Sequence, residues 1–75
     1  MKLVARLSAG RLGGLLVETP VMPSVLQVED PNGQLRVYCA TTKSATVKVD
    51  GEYILFKVYV AAGHRWWNGS EWVLP

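Results

Sequence analysis

The sequence predicts an all-β protein, a small antiparallel meander that closes into a barrel or roll of the SH3-like or OB-like kind. Three observations point there. Turn-forming residues interrupt the chain at short intervals, and the runs between them favour β-branched and aromatic residues over helix formers. When neighbouring runs are paired through their turns, the apolar side chains collect on one side of the sheet. The 75 residues suit one domain, 1–75. A chain of that length buries only about 60% of the surface it exposes when unfolded, so every large apolar side chain counts.

The expected strands are 2–8, 14–18, 24–29, 34–40, 44–49, 52–61, 64–67 and 71–74. Between the first two, "GRLGG" (Gly10 to Gly14) reads as a flexible turn, since it lacks both the spacing and the lysine of a phosphate-binding loop and no helix follows it. "PVMP" (Pro20 to Pro23) carries two residues without an amide proton, which suits an irregular connection and excludes a central strand.

Three further turns set register. "DPNG" (Asp30 to Gly33), taken as a four-residue turn, places Val28 opposite Leu35 and Leu26 opposite Val37. A three-residue "TTK" loop (Thr41 to Lys43) sets Cys39 opposite Ala45 and Val37 opposite Val47. Asp50-Gly51 is the strongest hairpin signal, because a type I′ turn needs positive φ at both central positions; it places Val47 opposite Ile54 and Ala45 opposite Phe56. One face thereby gathers Leu26, Val28, Leu35, Val37, Cys39, Val47, Val49, Ile54, Phe56, Val58 and Val60, the expected core. It must be covered either by the first strands (Leu3, Ala5, Leu7, Leu15 or Leu16, Val17) or by another chain.

The reverse face carries Arg36, Tyr38, Lys48, Tyr53, Lys57 and Tyr59 with no acidic residue among them. Cations interleaved with phenols are what a single-stranded nucleic-acid platform uses, the cations tracking phosphates and the rings stacking bases. The same residues are also ordinary for a solvated strand face, and that plainer explanation carries more weight.

All three tryptophans and the only histidine lie in "HRWWNGSEWVL". Asn68-Gly69 between aromatic flanks predicts a last hairpin, in which a two-residue loop would pair Arg65 with Trp72 and a three-residue loop Trp66 with Trp72. Adjacent Trp66 and Trp67 must point to opposite faces, so one packs as a clasp over the core while the other either packs as a satellite or stands free for an interface. Arg65, Trp66, Trp67 and Trp72 are thus the candidate binding residues for a protein or sugar partner.

"RWWNGSEWV" (Arg65 to Val73) resembles the short hairpin that recurs in bacteriophage tail-fibre and other virion proteins: an aromatic, then Asp or Asn, Gly, Ser or Thr, any residue, Trp and Val. The resemblance implies a structural or assembly part of a virion, symmetric and non-catalytic, with an apolar edge shared between subunits.

No catalytic constellation stands out. Cys39 is expected on the core side and His64 lies far along the chain in a hairpin, with no third group to orient either. One cysteine and one histidine make neither a disulfide framework nor a zinc ligand set, so no metal and no cofactor is expected. The net charge of +2 is too small by itself to indicate a polyanion partner. "MKLVARLS" has no apolar run of signal-peptide length, which predicts synthesis in the cytosol, and no membrane partner is expected. The expected function is therefore a small non-enzymatic module for protein–protein assembly, with itself or with other virion subunits in a bacteriophage particle; the alternative is a single-stranded nucleic-acid-binding β-barrel.

Overall fold

A computed structural model describes residues 1–74. The chain is all-β, with 61% of residues in strands and a five-stranded sheet curled into a half-barrel. Its strands are β1 (Lys2–Ser8), β2 (Leu16–Thr19), β3 (Val25–Glu29), β4 (Leu35–Val49) and β5 (Glu52–Ala61). A separate hairpin follows, β6 (Trp66–Trp67) with β7 (Trp72–Val73).

The order in the large sheet is β2-β1-β5-β4-β3, which differs from a simple meander at one place. β5 runs parallel to β1, pairing Leu3 with Leu55, Ala5 with Lys57 and Leu7 with Tyr59. β2 and β3 are left as the two edges, so the expected closure into a barrel is not completed. The segment between them, Pro20 to Ser24, bridges the gap in part: the Ala40 amide donates to the Ser24 carbonyl, and the Tyr59 hydroxyl donates to the carbonyl of Pro23.

Two of the three register-setting turns depart from expectation. The Asp50-Gly51 turn does not: both residues have positive φ (51° and 82°), and Val47 faces Ile54 and Ala45 faces Phe56 as read from the sequence. At "DPNG" the loop has three residues, Pro31 to Gly33, closed by the Asp30 amide donating to the Gln34 carbonyl. Gly33 sits at φ 81°, the left-handed position that turns a type I bend into a three-residue hairpin loop with a bulge. One fewer loop residue slips the register by one, so Glu29 faces Leu35 and Leu26 faces Tyr38. Asp30 holds this turn from inside: its Oδ1 accepts from the amides of Asn32 and Gln34, each at 2.9 Å, and its Oδ2 accepts from Arg36 Nε at 2.9 Å.

"TTK" is no loop at all. β4 runs through it, and Thr41 to Lys43 bulge outward against Val58, between the pairs Ala40–Tyr59 and Ser44–Lys57. The segment lacks the Gly, Asn, Asp or Pro that a chain reversal needs, and threonine is a strand former, so the extra residues kink the strand instead of turning it. Thr41, buried, donates its hydroxyl to the Val58 carbonyl at 2.8 Å, which restores a ladder bond the bulge removes.

The core lies on the opposite face from the one expected. Leu35, Val37, Cys39, Ala45, Val47, Val49, Ile54, Phe56, Val58 and Val60 do share one side of β4 and β5, as alternation requires. The buried cluster is on the other side, where Ala5, Leu7, Tyr38 and Tyr59 pack with Leu12, Val17, Met22, Leu26, Val28, Ala40 and Ala61. Leu26 and Val28 join it through the slipped hairpin, and β1 contributes Ala5 and Leu7 through its parallel pairing with β5. Alanines at 5, 40 and 61 leave room for the two phenol rings, whose hydroxyls reach loop backbone. Tyr38 Oη accepts from the Leu12 amide and donates to the Ala9 carbonyl, both at 2.9 Å, clasping the β1–β2 loop over the core. Gly10 lies against the same ring, and a Cβ there would stand 2.8 Å from Ala61 Cβ and 2.9 Å from the Tyr38 oxygen.

Candidate interaction surface

With the core on the tyrosine side, the other side of the sheet becomes an outer face. The central strands β4 and β5 present it as a run of apolar side chains, Leu35, Val37, Cys39, Ala45, Val47 and Val49 from β4 and Ile54, Phe56, Val58 and Val60 from β5, with charge only at Glu52, opposite Val49 where β5 begins, and at Lys43 in the bulge of β4. Val25 on β3 and Val4 and Leu16 toward the other edge extend it. Val60 is buried, but Leu35 is 63% exposed, Leu16 55%, Val25 53% and Val49 48%, while Val37 and Val47 are about as exposed as Val49. A single exposed valine needs no explanation; a contiguous apolar sheet face does, because such patches mark interaction sites.

The remaining charges on this face stand on its flanks. Lys2 and Arg6 alternate with Val4 on β1, Glu18 pairs with Val4 from β2, and Glu29 ends β3. A groove of about 410 Å³ runs over Leu16, Ala45, Phe56 and Val58, with Arg6 and Lys43 at its rim. Beyond the kink in β4, the stretch Ser44–Val49 has β5 on one side and no strand on the other, an unpaired edge.

The tryptophan hairpin stands next to this face. Lys43 lines both the groove and a smaller cleft formed with Thr42, Trp66, Trp67, Asn68 and Gly69. Its register is neither of the two expected: Trp67 pairs with Trp72 and Trp66 with Val73, around a four-residue loop. Asn68 builds that loop. Its Oδ1 accepts from the Ser70 and Glu71 amides at 2.8 and 2.9 Å, while its own amide donates to the Glu71 carbonyl. The Trp67 and Trp72 rings meet edge to face, centroids 5.6 Å apart at 64°, and both are more than half exposed. Trp66 points the other way and is half-buried, so the split between the adjacent rings follows the expected alternation. Arg65 is exposed and pairs with neither Trp72 nor Trp66, and His64 is exposed in the turn after β5.

The six residues expected to form a nucleic-acid platform share the inner side of the sheet but do not form one surface. Tyr38 and Tyr59 are enclosed, at 1% and 0% exposure, and their rings are the centre of the core. Arg36 is tied to Asp30 and to Gln34 Oε1 (2.7 Å) at one end of β4. Lys48 lies toward the other end, paired with Tyr53, its Nζ 5.4 Å from that ring's centroid. Lys57, opposite Ala5 and Ser44, is half-buried between these groups. A chain reversal at "TTK" would set Arg36 opposite Lys48; β4 runs on instead and leaves the two far apart along one strand.

Two titrating groups are displaced from their ordinary behaviour. The Gln34 amide, assisted by Arg36 and the Asn32 amide, holds the Asp30 carboxyl below its usual 3.8 in spite of burial, which acts the other way. Burial pushes the Tyr59 phenol above its usual 10.0. Both belong to groups that hold loops in place. The sequence signals for them were Asp before Pro-Asn-Gly and tyrosines alternating with small residues, neither of which marks a catalytic site.

Among the described residues no group of three or more His, Cys, Asp or Glu side chains gathers to hold a metal ion, and no helix is long and apolar enough to cross a membrane. Comparison with protein-family models, with curated proteins and with solved structures finds no match to this chain.

Proposed function

We propose that this chain is a non-enzymatic β module for protein–protein assembly, a structural or assembly component of the kind that builds a bacteriophage virion. The observation that carries the assembly reading is the largely apolar outer face of β4 and β5, with Leu35, Val37, Val47 and Val49 open to solvent. A folded chain gains by covering such a face, and protein is the cover whose apolar, β-branched surface matches it. The exposed Trp67–Trp72 pair beside it supplies the residue type most often found as an interface anchor. The virion assignment rests on the likeness of Arg65 to Val73 to virion hairpins. The affinity with SH3-like or OB-like barrels rests on the curl of the five-stranded sheet.

Single-stranded nucleic-acid binding draws on a smaller set of residues than the sequence suggests, since Tyr38 and Tyr59 cannot stack a base without unfolding the core.

The experiment is the native mass of the species that holds the protein in an extract of its own source at natural abundance. Assembly requires a mass above the 8.3 kDa of the lone chain, and a lone chain there would refute the reading.

A further inference from the structure

We infer that the occupant of the outer face is a second copy of this chain, its own β4–β5 face packed on this one to make a two-sheet sandwich. The inference rests on the assembly reading above and names its partner.

The molecule is a slab, 36 × 36 × 18 Å, thin enough for one sheet and the loops that cover its core. Its accessible surface, 5096 Å², exceeds the roughly 4,600 Å² that size scaling gives a compact monomer of 8.3 kDa. The excess is what a sheet covered on one side leaves open. A face of 36 by 36 Å easily supplies the ~800 Å² per partner of a standard stable interface.

Composition of the face favours an identical partner over a transient one. Ten apolar positions on two adjacent strands, with charge only at the margin, Glu52 where β5 begins and Lys43 in the bulge of β4, resemble a domain core cut in half, as in obligate homodimers. The flank charges are also arranged for self-complementarity. Two cations, Lys2 and Arg6, and one carboxylate, Glu18, give the β1–β2 flank a positive balance, whereas the β3 flank carries the carboxylate Glu29. A twofold axis parallel to the strands lays β5 on the partner's β4 and brings the positive flank over the negative one. That symmetry closes the contact at two copies and leaves no apolar face over.

The test is sedimentation of the purified chain across a dilution series, with thiol labelling of Cys39 on the same samples. Cys39 lies on the outer face between Val25 and Val60, half-buried in the single chain. The expected result is twice 8.3 kDa, with Cys39 labelling slowed in proportion to the dimer fraction. Val37→Lys and Val47→Lys should each weaken the dimer by at least about 100-fold, because each strands charges in a dry contact. Thr46→Lys, on the same strand but the other face, should leave it unchanged. Val37 is paired on both sides, with Gln27 on β3 and through the Val37 carbonyl to the Ala62 amide, so it separates face from edge. A dimer broken by Val47→Lys and not by Val37→Lys would place the contact on the Ser44–Val49 edge and overturn the inference. So would a dimer that leaves Cys39 as reactive as in the monomer, a readout that stands even if a lysine variant fails to fold. A strict monomer that is heavier in the source extract would overturn the second copy and leave the assembly reading standing, with another protein as partner. A lone chain in both settings would remove both.

Discussion

Replacing Tyr38 by Phe removes one oxygen and nothing else, which makes it a clean measure of what holds the β1–β2 loop over the core. The ring is fully enclosed, and its hydroxyl serves two backbone groups, accepting from the Leu12 amide and donating to the Ala9 carbonyl. Both partners belong to a loop that no strand satisfies. Two hydrogen bonds at a net 0.5–1.5 kcal/mol each amount to about 2 kcal/mol. A domain of this length has a total stability of only about 4–11 kcal/mol, so the loss is a large share of it. At about 4–8 °C per kcal/mol, the melting temperature should fall by roughly 8–16 °C. Thermal unfolding followed by far-ultraviolet circular dichroism measures the shift, and hydrogen exchange of the Leu12 amide localises it. Tyr53→Phe is the control, since that ring lies at the surface, and it should stay within about 0.5 kcal/mol of the parent. Should Tyr38→Phe melt with Tyr53→Phe and leave the Leu12 amide equally protected, the clasp is not what holds this loop.

Three further outcomes follow from the same geometry. Gly33→Ala forces an L side chain to φ 81°, where its Cβ would meet only Glu29 Oε1 at an ordinary 3.7 Å, so it should cost about 1–2 kcal/mol through backbone strain, read by chemical denaturation. Asp30, whose carboxyl sits below 3.8 in the fold, stabilises fully at pH values above that figure; as pH falls, the unfolded chain takes up the proton first and the contribution is lost through the lower, folded pKa. Asp30→Asn should therefore flatten the acid limb of a stability-versus-pH curve, and an unchanged limb would show that Asp30 is not the group responsible. Trp72→Ala should abolish the near-ultraviolet dichroism of the Trp67–Trp72 pair and loosen the hairpin by about 0.5–1.5 kcal/mol beyond lost area, with little effect on the melting of the main sheet, as hydrogen exchange resolved by element would show.

Much of this fold is legible in the sequence, and the misreadings share a cause. Asp50-Gly51 demands one turn and one register, and it has both; the shared side of Val37, Val47, Ile54 and Phe56 follows from alternation across it. At "DPNG" the residue types announce a turn but do not count its loop, and Gly33 entering the left-handed region shortened it by one. That slip carried Leu26 and Val28 to the side of Tyr38. "TTK" shows the converse: spacing suggests a loop, while the chemistry of threonine keeps the strand going. Choosing the inner side by counting aliphatic residues then fails, because this sheet is apolar on both sides. What decides is which side can be roofed by its own chain. The β1–β2 loop and the Pro20 to Ser24 bridge lie over the tyrosines, and their polar backbone needs the hydroxyls that valines lack. The tryptophan hairpin is legible as an element and in the opposed directions of Trp66 and Trp67, but its four-residue loop depends on Asn68 capping two amides, which a dipeptide rule cannot count.

Nuclear Overhauser contacts of the Tyr59 ring in the purified protein test the inner and outer assignment most directly. Its ring protons should contact the methyls of Leu7 and Ala5, with Tyr38 protons reaching Leu12, while Phe56 shows no contact to Leu7. Contacts from Phe56, Val47 and Val58 to Leu7, with Tyr59 free of it, would put the core on the aliphatic side and contradict the account.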